Sequence, residues 1–513
     1  MQLDRTLGGW LSYIAERDAQ HCVEGYGFWH YLLAFCLLLT STNGILVGLS
    51  CAFILVRRRI KTAVRGGKKE CVPVKCPEAS ITAIIPCYLP NEQFIIEETV
   101  KWIMDEVDSP GQLTVLVVYN TPHDIPNIEA RLAQMQERVD WPQGRRFKAL
   151  RVRESTSKSA NLNAAWAETA DDLVAIYDAD HHPDRRSLVL LYEKLIRKRV
   201  AMVQGSVYIR NLEQNQFGCS PCSVPCLGRL IDAEFFWDFF LQRPGQRTCF
   251  TGFGFFTGSN CLWRSSMLSR MEFDESMQCE DADMAVKQLL DGQKMEYCPE
   301  ARSGELAPVS LGACWKQRLR WNIGGLQVVL KWARSYTKAG KMSCRGRCGL
   351  IWTQVVPYVL TAIGAGMACL PVIFAVWPLC ENRWGRLVVR ASQLGFLAVL
   401  GPWVFSTLEA CFQIHHRRAQ SCAQVLAVLL LTSPVGMSCL GAWNLTLTCV
   451  GVFKVFTGRV KGWEVTARAP STSPGLRHGT DQVDQAKKHV GEAPGASEFA
   501  RTHSGSQTAV GLP

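Results

Sequence analysis

Hydrophobic and polar positions divide the chain into distinct regimes. Residues 1–28 are mixed and polar, with no basic stretch directly before the apolar run that follows, which argues against a cleavable signal peptide. Residues 29–56 are almost uninterrupted apolar sequence, long enough to cross a bilayer with room for tilt, and predict a transmembrane helix. From about residue 80 to 341 the pattern shifts to an α/β alternation. Strands are predicted over ITAIIP, LTVLVVY, the apolar run ending at Asp178, and VAMVQGSVYI, with helices over 95–104, 128–139 and 186–198. This order predicts an α/β domain with a mostly parallel sheet and ligands at the carboxyl ends of its strands. Beyond residue 341, apolar blocks at 350–377, 387–411 and 423–456 predict a C-terminal membrane region. The third, interrupted by Pro434, predicts a broken hairpin. Residues 469–513 are rich in Ser, Gly, Pro, Thr and charge, with Phe499 as the one aromatic, and predict a disordered tail.

Charge sharpens the orientation. Of a net +11, part is local: Arg57, Arg58, Arg59, Lys61, Arg65, Lys68 and Lys69 directly follow the first apolar run. A basic linker over 57–79 predicts a cytosolic face toward acidic headgroups, with the N-terminus outside. No aromatic side chains interleave with it, which excludes a single-strand nucleic-acid surface. The 22 Cys are scattered without a compact framework, as expected of reduced thiols. Cys219, Cys222 and Cys226 form C-x2-C-x3-C, but no second pair completes a zinc site.

The strand over 173–183, LVAIYDADHHP, ends in two carboxylates one residue apart. Residues i and i+2 of a strand share a face, so Asp178 and Asp180 are expected to meet one divalent cation, Mg or Mn, together. Such ions take one or two carboxylates and fill the remaining positions with water and phosphate oxygens, which suits a nucleotide diphosphate donor.

Six segments in order resemble the membrane-integrated family 2 glycosyltransferases, the group of cellulose, chitin and hyaluronan synthases. They are IIPCYLPNEQ (84–93), STSKSANLN (155–163), YDADHHP (177–183), FFTGSN (255–260), CED (279–281) and QRLRW (317–321). The resemblance covers about residues 78–470. It implies a GT-A type nucleotide-sugar-binding domain over 80–341, held between N- and C-terminal helical membrane segments. It also implies inverting transfer from a nucleotide sugar, UDP-linked in the first instance, that extends a β-linked polysaccharide.

Residue roles follow from the same resemblance. Asp178 and Asp180 correspond to the D-x-D that holds the cation against the donor diphosphate. Lys158, Asn161 and Asn163 correspond to the element lying against the nucleotide; without the resemblance, the same stretch reads as a helix start with a Ser cap. Asp281 corresponds to the general base that takes the proton of the attacking hydroxyl, with Cys279 in place of the usual Thr; one carboxylate suffices for a single displacement. Glu280 and Asp283 are expected to be helix N-terminal charges. Gln317, Arg318, Arg320 and Trp321 correspond to Q-x-x-R-W, with arginines on the diphosphate and Trp321 under the acceptor sugar. Gly258 and Ser259 would let backbone approach the acceptor. Trp463, Thr466 and Arg468 resemble a gating loop over 457–468 that closes on bound nucleotide. One departure is plain: the second strand ends in Asn120, where relatives have a carboxylate that reads the base, so the contact there falls to an amide.

Two other readings are compatible with these residues. One is transfer of a single sugar to a lipid acceptor; the other is a membrane-bound scaffold of a synthase complex that has lost turnover. A homo-oligomer fits any of the three.

Overall fold

The structure, a computed structural model, describes residues 28–64, 79–211, 224–268, 272–308, 310–338, 340–361 and 434–460. The first described element is helix α1 (Phe28–Val64), which contains the apolar run and continues through Arg57–Arg59. Strand β1 (Ser80–Tyr88), helix α2 (Ile96–Glu106), strand β2 (Gln112–Asn120), helix α3 (Pro126–Glu137) and strand β3 (Arg145–Arg151) follow. Next come α4 (Lys158–Ala167), β4 (Leu173–Ile176), the short β5 (His182–Pro183), α5 (Ser187–Lys198) and β6 (Met202–Ile209). A helical run starts with α6 (Val224–Phe235) and passes through two wide-turn π stretches, Phe236–Gln242 and Arg247–Thr251. Then come β7 (Cys261–Arg264), α7 (Glu280–Leu290), β8 (Met295–Glu305), α8 (Leu311–Thr337), α9 (Cys344–Leu350) and α10 (Pro434–Phe456).

The eight strands form one sheet in the order β3-β2-β1-β4-β7-β6-β8-β5. β1 pairs in parallel with β2 and β4, β2 with β3, and β6 with β8, while β7 runs antiparallel to both neighbours. This is a GT-A-like, mostly parallel α/β sheet, as expected. Alternation along each strand sorts the core onto two faces. On β1, β2 and β4 the side chains of Ile81, Ala83, Ile85, Val115, Val117 and Ala175 pack beneath α2, α3 and α5. The intervening Ile84, Leu116, Val118, Val174 and Ile176 face the opposite layer, with Phe256, Trp263 and Met284. Each Val, Leu, Ile, Phe or Met side chain among these, taken fully out of water, contributes about 1.5–3 kcal/mol.

Among the described residues, one helical stretch, Cys439–Phe456, is long and apolar enough to cross a membrane. Helix α10 is described from Pro434 onward, and the expected broken hairpin, most of whose preceding half lies before that residue, falls outside the described residues. The helix packs through Leu447 and Trp443 on Leu319 and Ile323 of α8. The expectations for residues 1–27, for 362–433, for the gating loop residues Trp463, Thr466 and Arg468, and for the tail lie outside the described residues, as do Cys219 and Cys222.

Candidate active site

A cavity of about 630 Å³ lies past the ends of the central strands. Three helix starts deliver its charged groups. At α4, Ser157 is the N-cap, its Oγ accepting from the Ala160 N–H at 3.0 Å, so Lys158 is the first helical residue. At α7, Glu280, Asp281 and Asp283 all fall in the first turn, where the helix dipole favours anions. At α8, Ser310 caps the Ala313 N–H and starts the helix that carries Gln317 to Trp321.

Lys158 organises the charges. Its Nζ donates to Asp178 Oδ1 at 2.5 Å and lies 3.4 Å from Glu280 Oε1 and 3.4 Å from the Gly258 carbonyl. Burial pulls its pKa down, but Asp178, Glu280 and Asp281 outweigh this and hold it above the ordinary lysine value. Asp281, in the cavity wall, is raised to about 6, by burial first and by the Glu280 carboxylate second, with Lys158 opposing. Its Oδ1 accepts from the Ala282 N–H at 2.8 Å. Gly258 has φ +88°, and a Cβ there would stand 3.0 Å from Asp281 Oδ2, so only glycine leaves this carboxylate its place. The next residue, Ser259, accepts from the Asp178 N–H through Oγ at 3.0 Å, tying the β7 approach to the β4 exit.

Asp178 and Asp180 do not meet as an i, i+2 pair on a strand. β4 ends at Ile176, and the chain turns at once, the His181 N–H donating to the Asp178 carbonyl at 3.0 Å. Asp178 lines the cavity, whereas Asp180 is buried, with Oδ2 accepting from the Leu306 N–H at 3.1 Å. His181 lines the cavity in its place, its ring nitrogens 3.0 Å from Ser303 Oγ and 3.2 Å from Glu305 Oε2. Among the described residues, no cluster of three or more His, Cys, Asp or Glu side chains is arranged to hold a metal ion by itself.

The nucleotide-side amides are engaged within the protein. Asn120 donates to the Ser155 carbonyl at 3.0 Å and accepts from Asn161 Nδ2 at 2.8 Å, and both side chains are buried. Asn163 uses both ends of its amide on the Phe273 backbone, at 3.0 and 2.9 Å. These bonds clamp α4 to the loop before α7. Asn120, Asn161 and Asn163 are not among the lining residues of the cavity, whereas Lys158 is.

The four residues of the Gln317–Trp321 motif all line the cavity. Arg318 is bonded to Glu234 Oε2 at 2.7 Å, and its guanidinium lies 4.5 Å from the centre of the Trp321 ring. Arg320 donates to the Gln278 carbonyl at 3.3 Å. Gln317 is buried, and its Oε1 has no hydrogen-bond partner. Asp283 turns away from the cavity to Trp332 Nε1 and Lys331, a fold contact. Glu280 instead faces Lys158, so its charge bears on Asp281, which helix-start chemistry alone did not indicate. The sequence reading also missed Glu234, Asp238, Gln242 and Gln246, which line the same cavity from the helical run before β7. Their spacing of four was the available signal.

Residues 77–324 match the model of a family described as "Glycosyltransferase like family 2". They form a family 2 glycosyltransferase domain. The domain is similar to the probable glycosyltransferase YdaM of Bacillus subtilis, 23% identical over 266 residues, covering 50% of this chain and 58% of that protein. It is also similar to cellulose synthase 1 of Komagataeibacter xylinus, 27% identical over 268 residues, covering 50% of this chain and 16% of that one. The match thus spans less than two thirds of either curated relative. Among solved structures, the mannosyltransferase PcManGT from Pyrobaculum calidifontis, in complex with GDP-Man and Mn2+, aligns over 77% of this chain and 98% of its own, with TM-score 0.44 and 18% identity.

Proposed function

We propose that this glycosyltransferase domain moves a sugar from a nucleotide-sugar donor to an acceptor hydroxyl with inversion, Asp281 acting as the general base, and that the chain extends a β-linked polysaccharide. The observation that carries this is the arrangement of Asp281 in the cavity wall. It is a carboxylate raised toward neutral pH, beside a lysine and a second carboxylate, in space large enough for two substrates. A base with its pKa near the working pH combines the deprotonated form with real proton affinity.

The donor set suits a hard cation, because Asp178 presents a carboxylate to the cavity and donor phosphates would complete the shell. Asp178 would hold the Mg or Mn, with Asp180 and His181 fixing the turn that carries it. When bound, such a cation supplies positive charge to the leaving diphosphate. Lys158 holds the Asp178 side chain in place and offers its own charge to the phosphates. Gly258 lets the acceptor hydroxyl approach Asp281, and Asp281 takes the proton as the new bond forms. Trp321 offers an aromatic wall to the acceptor sugar.

The membrane setting rests on α1 and α10. Leu49, Phe53, Val56 and Ile60 of α1 and Phe453 and Phe456 of α10 are exposed, as lipid-facing side chains would be. The basic residues after the apolar part of α1 support a cytosolic side for the domain. The name of the bacterial cellulose synthase among the relatives supports the polysaccharide product.

The test is label incorporation from a panel of UDP- and GDP-sugars by the full chain in detergent, with Mg, Mn or chelator, followed by sizing of the product. Cation-dependent polymer from one donor is expected. A single lipid-linked sugar would replace the polymer reading with lipid transfer, and no incorporation from any donor by folded protein would favour the scaffold.

A further inference from the structure

The helical run before β7 presents Glu234, Asp238, Gln242 and Gln246 to the cavity, one residue in every four. A regular α-helix turns about 100° per residue, so each step of four drifts by roughly 40° and the stripe would leave the cavity within three steps. Wide π turns rotate each residue less, so that a step of four falls short of a full turn by about 30°. The run alternates the two windings: α up to Phe235, π over Phe236–Gln242, then an α turn over Arg243–Gln246. The opposing drifts cancel, and four polar side chains stay in line over roughly 15 Å. That is several times the width of one sugar ring.

Two charges on this rail are compensated within the protein. Glu234 is paired with Arg318 at 2.7 Å and Asp238 with Arg243 at 2.6 Å, while Gln242 accepts from Trp237 Nε1 at 2.7 Å. The same cavity holds unmet hydrogen-bonding capacity: Gln317 Oε1 and Thr257 Oγ1 are buried atoms without a partner. An amide oxygen in that position asks for a donor such as a hydroxyl.

We infer that the rail is an acceptor-binding subsite for an extended, uncharged oligosaccharide, whose hydroxyls bond to Glu234, Asp238, Gln242, Gln246 and Gln317. Resting on the transferase reading above, it specifies the acceptor as several sugars long and free of carboxylates. An oligo-uronate would meet paired acids and amides, with no spare cation on the rail.

The experiment measures acceptor KM for cello-, chito- and manno-oligosaccharides of two to six sugars, and for oligo-uronates, with the donor identified by label incorporation. It compares the parent chain with Gln242→Ala and Gln246→Ala, each checked for an unchanged melting profile. For one neutral series, KM is expected to fall at least tenfold from two to six sugars in the parent, and the gain to shrink several-fold in both variants. Transfer with a KM independent of length, equal use of oligo-uronates, or variants that keep the full gain would each overturn the rail while leaving sugar transfer intact. Absence of transfer from any nucleotide sugar would overturn the transferase reading, and the rail with it.

Discussion

Lys158 Nζ and Asp178 Oδ1 are 2.5 Å apart, joining the first residue of α4 to the turn after β4 across twenty residues of chain. Because Glu280 and Asp281 share the same ammonium, the single charge of Lys158 attracts three carboxylates at once. Lys158→Met is expected to lower kcat/KM by about 10²-fold or more, as loss of a positioned charge does in other sites. It should also move the acid limb of the pH profile upward, since Lys158 opposes the rise in the Asp281 pKa. A profile unmoved on the pH axis would assign Lys158 to folding alone.

The pH dependence follows from the Asp281 value itself. A base works deprotonated, so kcat/KM is expected to be full above its pKa of about 6 and to fall tenfold per unit below it. Initial rates between pH 4.5 and 8 at low donor concentration read this limb. A limb near pH 4, the range of an ordinary carboxylate, would separate Asp281 from the rate.

The same raised pKa carries a cost in stability. An acid whose folded pKa exceeds its unfolded value destabilises the fold above the folded pKa, and the penalty vanishes below the unfolded one. At pH 7, Asp281→Asn is therefore expected to be more stable than the parent by about 3 kcal/mol, with the difference shrinking as pH falls from about 6 toward 4. Thermal melts of both proteins across that window check it, and a variant that melts lower at pH 7 would contradict it.

Gly258 separates space from chemistry. Its φ of +88° strains any side chain there, and a methyl group 3.0 Å from Asp281 Oδ2 would push that carboxylate aside. Gly258→Ala is expected to destabilise by about 1–3 kcal/mol and to depress kcat more than donor KM. Asn163 gives the opposite pattern: with both amide ends on the Phe273 backbone, Asn163→Ala should lower the melting temperature by the equivalent of about 1–3 kcal/mol and leave the donor KM in place. A donor KM raised tenfold would return Asn163 to the nucleotide.

What was legible in the sequence follows local chemistry. β1, β2, β4 and β6 are apolar runs buried on both faces, and α2, α3 and α5 are amphipathic, so each announces itself within a dozen residues. β3 was missed because it is the sheet edge: RRFKALR buries Phe147 alone, exposes Arg146 and Lys148, and spends Arg145 and Arg151 on helix-end carbonyls and carboxylates. β8 was missed because MEYCPEARSGE owes its place to pairing with β6, 93 residues away at Met202 and Met295. In the site, Lys158, Asp178, Gly258, Asp281 and Trp321 were placed in one cavity from motifs alone. The divergence of Asp178 and Asp180 was not, since a strand that stops two residues early reverses the face a carboxylate takes. Nor was the rail: its spacing of four is in the sequence, but the π winding that keeps such a spacing on one face is not.

The most direct measurement of the proposed mechanism is a pair on Asp281→Asn: donor affinity by calorimetry with Mn present, and single-turnover transfer with the donor and acceptor that the parent chain uses. The expected result is donor binding within a few-fold of the parent, with transfer reduced by 10²- to 10⁴-fold, the range of a lost general base. Transfer within threefold of the parent would contradict the assignment of Asp281 as the base.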